Sequence, residues 1–273
     1  EVLAVLGPNG AGKTTTVRMM TSILPPTSGW AKVAGYDVSQ HPAAVRANVG
    51  VLTEQHGLYE RMKGLEYLDF FGEIYGLERS SRRKRATDLM ERFGLEQALK
   101  QRVGEYSKGM KQKLALVRAM LHDPSVLLLD EPTSAMDPQS ARQVRTAIIE
   151  LQRDERTFLI TTHNLTEAQL LANRIAIIRQ GRVIATGTID ELAGQFVGQP
   201  IMELRINGQV NGLARDLHDL VDVQDTGLNW LQYRTPSPTT INPQILAKCV
   251  SLGVEVVTLS QITQSLEEIY LQA

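Results

Sequence analysis

An apolar run of strand length, Val2 to Leu6, passes directly into GPNGAGKT, Gly7 to Thr14, and then into the helical-looking VRMMTSI. Few short stretches constrain a fold more. This one fits GxxxxGK(S/T) and sits between a strand and a helix, the context the motif needs. Glycines at 7, 10 and 12 let the backbone around Pro8, Asn9 and Ala11 curl so that successive N–H groups point inward at an anion. The helix that follows adds the positive end of its dipole. In a phosphate loop of this kind Lys13 reaches the β- and γ-phosphates of a nucleoside triphosphate, and the Thr14 hydroxyl ligates Mg²⁺. Thr15 keeps two readings, a contact to the α-phosphate or a solvent-facing helix residue.

The start predicts an α/β fold, and the rest of the chain repeats the alternation. VGVL at 49–52, VLLLD at 126–130 and TFLITT at 157–162 have strand length, and their unbroken apolar character suits strands covered on both faces. Helical spacing fills about 58–122 and returns in ARQVRTAIIELQRD and EAQLLANR. RIAIIRQGRVIATG reads as two strands about a Gln180–Gly181 turn. A mainly parallel sheet is expected over the first 190 or so residues. From Gly198 the order becomes strand (IMELRI), helix (GLARDLHDL), two strands (VDVQD, LNWLQYRT), helix (NPQILAKCVSLG) and strand (VEVVTLS), closed by the short helix SLEEIYLQA. That β-α-β-β-α-β order is the ferredoxin-like arrangement of a small α+β domain. The expected division is 1–197 and 198–273. Glu1 opens inside a strand, so an upstream strand is expected to precede this stretch.

VLLLDEP supplies the complement to the glycine loop. Asp130, at the tip of a buried strand, is placed to bind Mg²⁺ beside the phosphates, and Glu131 to polarise an attacking water as general base. A solvated acidic turn is the plainer reading, which the company of Gly7 to Thr14 displaces. His163 follows TFLITT directly. By position alone it is either a structural strand-end histidine or a γ-phosphate contact.

The succession GPNGAGKTT, YSKGMKQ, LLLDEPTSAMDP and TTH resembles the ATP-binding cassette of ABC transporters over about residues 1–190. The resemblance implies a P-loop NTPase fold, a mixed, mainly parallel sheet with a helical subdomain at about 58–122. YSKGMKQ, Tyr106 to Gln112, stands where the family carries its LSGGQ signature, with Ser107 and Gly109 on the serine and second glycine. Lys108 and Met110 replace the glycine and glutamine. The signature of one protomer would then cover the ATP held by another, whereas Ser107 taken alone would be a helix N-cap. SAMDP resembles the D-loop, coupling two composite sites through Asp137, and Asp137-Pro138 also reads as a helix start. His163 falls on the family's switch histidine. Two departures matter. VGVLTEQ puts Glu54, not Gln55, at the Q-loop glutamine; either offers an oxygen, and Glu54 is preferred for the metal role. No aromatic residue precedes Gly7 to stack on adenine, a contact worth about 1–3 kcal/mol, so this stretch is expected to bind ATP weakly.

The resemblance implies an ATP-binding and hydrolysing subunit that powers export through a separate integral-membrane permease. A second ATPase subunit, in a homodimer, and a place at the cytoplasmic face of the membrane are implied with it. The alternatives are a soluble ABC-type ATPase acting on DNA or ribosomes and a nucleotide-gated regulatory module. Composition bears on these choices. Lys plus Arg is 29 and Asp plus Glu is 30, a net charge of -1 that gives no footprint for wrapping nucleic acid. No apolar run approaches the roughly 20 residues that span a bilayer, so spanning falls to another subunit. Cys249 stands alone, which rules out an internal disulfide and leaves no basis for a Cys-based zinc site. RSSRRKR, Arg79 to Arg85, reads as a solvated helix face. Gly57 to Met62, just after the Q-loop position, is the implied docking surface for the permease.

Overall fold

Every side chain of VLLLD is taken up on one side of its strand or the other, which explains the lack of polar alternation. Leu127 and Leu129 join one apolar cluster and Leu128 a second on the opposite face. Each such leucine contributes about 1.5–3 kcal/mol of burial. The computed structural model describes residues 1–53, 57–134, 136–152, 156–262 and 265–273. They form two compact units, Glu1–Thr188 and Ile189–Ala273.

In chain order the first unit holds β1 (Val2–Leu6), α1 (Lys13–Met20), β2 (Lys32–Val33), β3 (Tyr36–Asp37), α2 (Pro42–Asn48), β4 (Val49–Leu52), α3 (Gly64–Ile74), α4 (Arg79–Arg92), α5 (Lys108–Met120), β5 (Val126–Asp130), α6 (Pro138–Gln152), β6 (Thr157–Thr162), α7 (Leu165–Leu171), β7 (Arg174–Arg179) and β8 (Arg182–Gly187). Six of these strands form one sheet in the order β4-β5-β6-β1-β7-β8, parallel throughout except for β8. The expected mainly parallel sheet is therefore present. Register fixes the site. Leu6 pairs with Thr162 and Asp130 with Thr161, so the segments following β1, β5 and β6 leave the sheet side by side at its carboxyl edge. The β2–β3 hairpin and α2 were not expected, being too short to show a period.

Helices α3, α4 and α5 fall within the stretch read as helical. The basic run behaves differently from a solvated face. Arg82 is only 11% exposed in its side chain and donates from Nε to Asp69 at 2.6 Å, with Glu73 at 3.2 Å. Arg85 donates to the carbonyls of Leu121 and Met120 at 2.7 and 3.2 Å, where a cation offsets the negative end of α5. Arg79, Arg83 and Lys84 remain exposed as expected.

The second unit holds α8 (Ile189–Phe196), β9 (Ile201–Ile206), α9 (Leu213–Asp216), β10 (Asp222–Thr226), β11 (Trp230–Arg234), α10 (Pro238–Ser251), β12 (Val256–Gln261) and α11 (Leu266–Gln272). Its sheet runs β10-β11-β9-β12, antiparallel at every junction, which with α9 and α10 as crossovers is the ferredoxin-like topology. Two details differ from expectation. Helix α9 is a single turn. Helix α10 begins a turn early, at Pro238, and runs through Pro243. Asn242 lies within its first turns, and its Oδ1 accepts the Tyr233 hydroxyl at 2.6 Å. Among the described residues no helix is long and apolar enough to cross a membrane.

Candidate active site

Gly10 and Gly12 adopt φ of 81° and 105°, which opens the turn between β1 and α1. Gly12 caps α1 with no side-chain acceptor, leaving the first N–H groups of the helix available to an anion. Lys13 is buried, and its ammonium donates to the carbonyls of Gly7 at 2.7 Å and Pro8 at 3.3 Å. The charge is thus held at the centre of the loop. Ala11 is buried and locks the loop to the β7–β8 turn, its carbonyl accepting the Gly181 N–H at 2.9 Å. A cavity of about 370 Å³ opens over this loop, lined by Asn9, Gly10, Gly12, Lys13, Thr14, Thr15, Asp130, Glu131, Ser134 and His163. Residues more than a hundred positions apart in sequence meet there.

Asp130 is 2% exposed. Its Oδ2 accepts the Thr14 hydroxyl at 3.0 Å, and its Oδ1 accepts the hydroxyl of Thr161 on β6. A buried carboxylate facing a hydroxyl offers hard oxygen donors, the set that suits Mg²⁺ held largely by substrate phosphates and water. Among the described residues no group of three or more acidic, histidine or cysteine side chains forms an all-protein cage. Thr14 and Asp130 therefore fit a magnesium ion that arrives with its nucleotide.

Glu131 has φ of 52°, a left-handed conformation that costs a side-chain-bearing residue about 1–3 kcal/mol. Several bonds hold it there. Its N–H donates to the Thr161 carbonyl at 2.9 Å, and the buried Gln112 amide donates to the Pro132 carbonyl at 3.0 Å and more weakly to that of Glu131 at 3.4 Å. The twist aims the carboxylate at His163, whose backbone N–H lies 3.1 Å and whose Nδ1 lies 2.7 Å from Glu131 Oε1. The carboxylate only accepts, so the proton of that pair sits on Nδ1. The Glu131 side chain is 15% exposed and that of His163 is 63% exposed, a half-buried acid under an accessible imidazole.

Ser107 and Gly109 do not line this cavity. The Ser107 hydroxyl caps α5, accepting the Met110 N–H at 3.2 Å, so the plain reading of that serine is realised in the fold. Gly109 lies beside the start of α6, where Asp137 accepts the Ser140 N–H at 2.9 Å as a cap. Hydrogen bonds from Ser140 hold the Asp137 carboxyl below its ordinary range. Glu54 and Gln55 lie outside the described residues. The sequence reading missed Thr161, Thr162, Thr133, Gln112 and Glu167. Gln112 was within the quoted signature stretch, and only the spacing of β5 and α5 reveals its task.

The ABC transporter family model matches residues 1–134. The ABC transporter ATP-binding protein NatA of Bacillus subtilis (strain 168) is 43% identical over 215 residues, 78% of this chain and 87% of that protein. This chain belongs to the ABC transporter family. The daunorubicin resistance ATP-binding protein DrrA3 of Streptomyces coeruleorubidus is 38% identical over 276 residues, 99% of this chain and 86% of that one. A solved structure described as an ATP-binding subunit of an ABC transporter superposes with a TM-score of 0.67 at 32% identity, covering 72% of this chain and 82% of its own. As a member of the ABC family the chain is an ATP-binding, ATP-hydrolysing subunit of an export-type transporter, and the soluble alternative gives way. The cassette resemblance carried by the motifs is thus upheld.

Proposed function

We propose that this subunit powers export by hydrolysing ATP at the cavity over Gly7 to Thr14, with a second copy of the chain completing each site. The loop N–H groups and Lys13 neutralise the β- and γ-phosphates, and Thr15 reaches the α-phosphate. Thr14 and Asp130 hold Mg²⁺, with Glu54 as a further oxygen donor and Gln55 beside the nucleotide. Magnesium, when bound, withdraws charge from the phosphate oxygens. Glu131 orients the attacking water and accepts its proton, and His163 steadies that carboxylate through Nδ1 while its other ring nitrogen faces the γ-phosphate. The observation that carries this reading is the 2.7 Å contact between Glu131 and His163 at the wall of a cavity whose floor is the phosphate loop.

The signature group supports a composite site. Gly109 stands beside Asp137 and Ser107 caps the same helix, and neither lines the cavity of its own chain, which suits a signature offered to the partner's nucleotide. The proposed permease-docking surface, Gly57 to Met62, is supported by its aromatic setting. Tyr59 is 49% exposed, stacks on Phe71 at 6.1 Å and meets Phe70 edge-on at 5.8 Å. Amphipathic rings half out of a packed face suit a helix docked from a permease. That partner would hold the subunit at the cytoplasmic face of the membrane, with the cassette in the first unit and an accessory domain in the second, α8 (Ile189–Phe196) counting with the second unit rather than with the cassette as the expected division at 197 had it. Glu131→Gln tests the reading. It is expected to keep ATP binding, lower kcat by 10²-fold or more, and accumulate a nucleotide-bound dimer on gel filtration. Turnover near that of the parent protein would remove Glu131 from its role.

A further inference from the structure

On the reading that Glu131 orients the attacking water, the carboxylate behind it has no task yet. Glu167 lies on α7 and is 2% exposed. Its Oε1 accepts the Thr133 hydroxyl at 2.6 Å, and its Oε2 accepts the Thr162 hydroxyl at 2.8 Å. Thr133 belongs to the turn that carries Glu131, and Thr162 is the residue before His163. One buried side chain therefore ties together the two segments that present the pair. Burial pushes the Glu167 carboxyl up, and the nearby charge of Glu131 pushes the same way, while the two hydroxyls and Arg145 act against them. A glutamine of the same shape would be easier to bury, so the acceptor-only character of the acid needs a reason.

Thr162 supplies it. Its hydroxyl has one proton and two carboxylates in reach, Glu167 Oε2 at 2.8 Å and Glu131 Oε2 at 3.4 Å, and its oxygen already accepts the Asn164 N–H at 3.0 Å. With the proton drawn to Glu167, Glu131 Oε2 keeps its lone pairs, while Oε1 is occupied by His163. We propose that Glu167 is a positioning residue for hydrolysis, which draws the hydroxyls of Thr133 and Thr162 to itself and so leaves one Glu131 oxygen free for the attacking water. This rests on the assignment of Glu131 made above.

Glu167→Gln tests the idea, because the new amide donates to Thr162 and turns the threonine proton toward Glu131. The expected result is a kcat about tenfold to a hundredfold lower, with KM for ATP and the affinity for a fluorescent ATP analogue within about twofold of the parent. Adding Thr162→Val to Glu167→Gln removes the proton that would turn to Glu131, so the double variant should recover most of the lost kcat. A Glu167→Gln protein with parental kcat overturns the proposal, as does a double variant no faster than Glu167→Gln, which would make the effect one of packing. If Glu167→Gln fails to fold, Thr162→Val alone decides: a kcat within severalfold of the parent is expected, and a loss as deep as that of Glu131→Gln overturns the proposal. Glu131→Gln is assayed alongside. Turnover near that of the parent there sinks the reading of Glu131, whereas a Glu131→Gln protein slowed about 10²-fold or more beside a fully active Glu167→Gln sinks only this inference.

Discussion

A methyl group at Gly7 would sit 2.4 Å from the Ile178 carbonyl and 2.7 Å from Ile178 Cγ2, so the base of the phosphate loop tolerates no side chain without lifting off β7. Gly7→Ala is therefore expected to weaken ATP binding at least about tenfold and to cost about 1–3 kcal/mol of stability, read by calorimetric titration and by denaturant unfolding. Thr161→Val should cost a similar amount by leaving buried Asp130 short of a donor, and Thr161→Ser should recover it in the same unfolding assay. The two positions show what one-dimensional reading reaches. Gly7, Lys13, Thr14, Asp130 and Glu131 were legible because each belongs to a contiguous motif whose residue types have a stated job, and His163 only through the cassette resemblance. Thr161, Thr162 and Glu167 were not, because their tasks arise from the pairing of β5 with β6 and from the face that α7 turns toward it. A threonine in a strand reads as strand former, whichever carboxylate it serves.

Between elements, α5 packs directly on β4. A Cβ on Gly50 would fall 2.0 Å from the Ala119 carbonyl, and His122, just past α5, closes the same seam. Its Nε2 lies 3.2 Å from the Val49 carbonyl, its ring stacks on Tyr75 at 4.0 Å, and its Nδ1 is buried with no partner among the described residues. Burial pushes the imidazole below its ordinary 6.5, against the pull of the Val49 carbonyl, with Arg85 lowering it further and Asp123 raising it. The folded state thus prefers the neutral ring. Its stability contribution is complete above 6.5 and is lost as pH falls through the lowered folded value, where Nδ1 gains a proton without an acceptor. His122→Phe keeps the stack and removes the titration, so its deficit against the parent at pH 7.5 should shrink on acidification toward pH 5, measured by paired urea titrations. Parallel curves would show that the ring does not titrate with folding. The strands and the longer helices were visible in the pattern of apolar residues; this seam was not, since a glycine and a histidine 72 positions apart carry no period.

Two copies of the whole molecule allow a test that no single-chain measurement offers. The cavity contains the phosphate loop and the Glu131–His163 pair but neither Ser107 nor Gly109. If the signature serves its own chain, a lesion in either group kills every site that contains it. If it serves the partner, a dimer of one Lys13→Ala chain and one Ser107→Asp chain has both lesions in one site and none in the other. Aspartate is chosen because it caps α5 as well as serine does while setting a negative charge where the partner's phosphate would arrive. Each variant alone is expected to lose nearly all turnover. Mixed in equal amounts, half the dimers are heterodimers with one intact site of two, so about a quarter of the parental rate should return in a phosphate-release assay. Recovery of that size requires a twofold arrangement with exchanged signatures, while a mixture as inert as its components would confine each site to one chain. The separation of Ser107 from the cavity within one chain makes the first outcome the expected one.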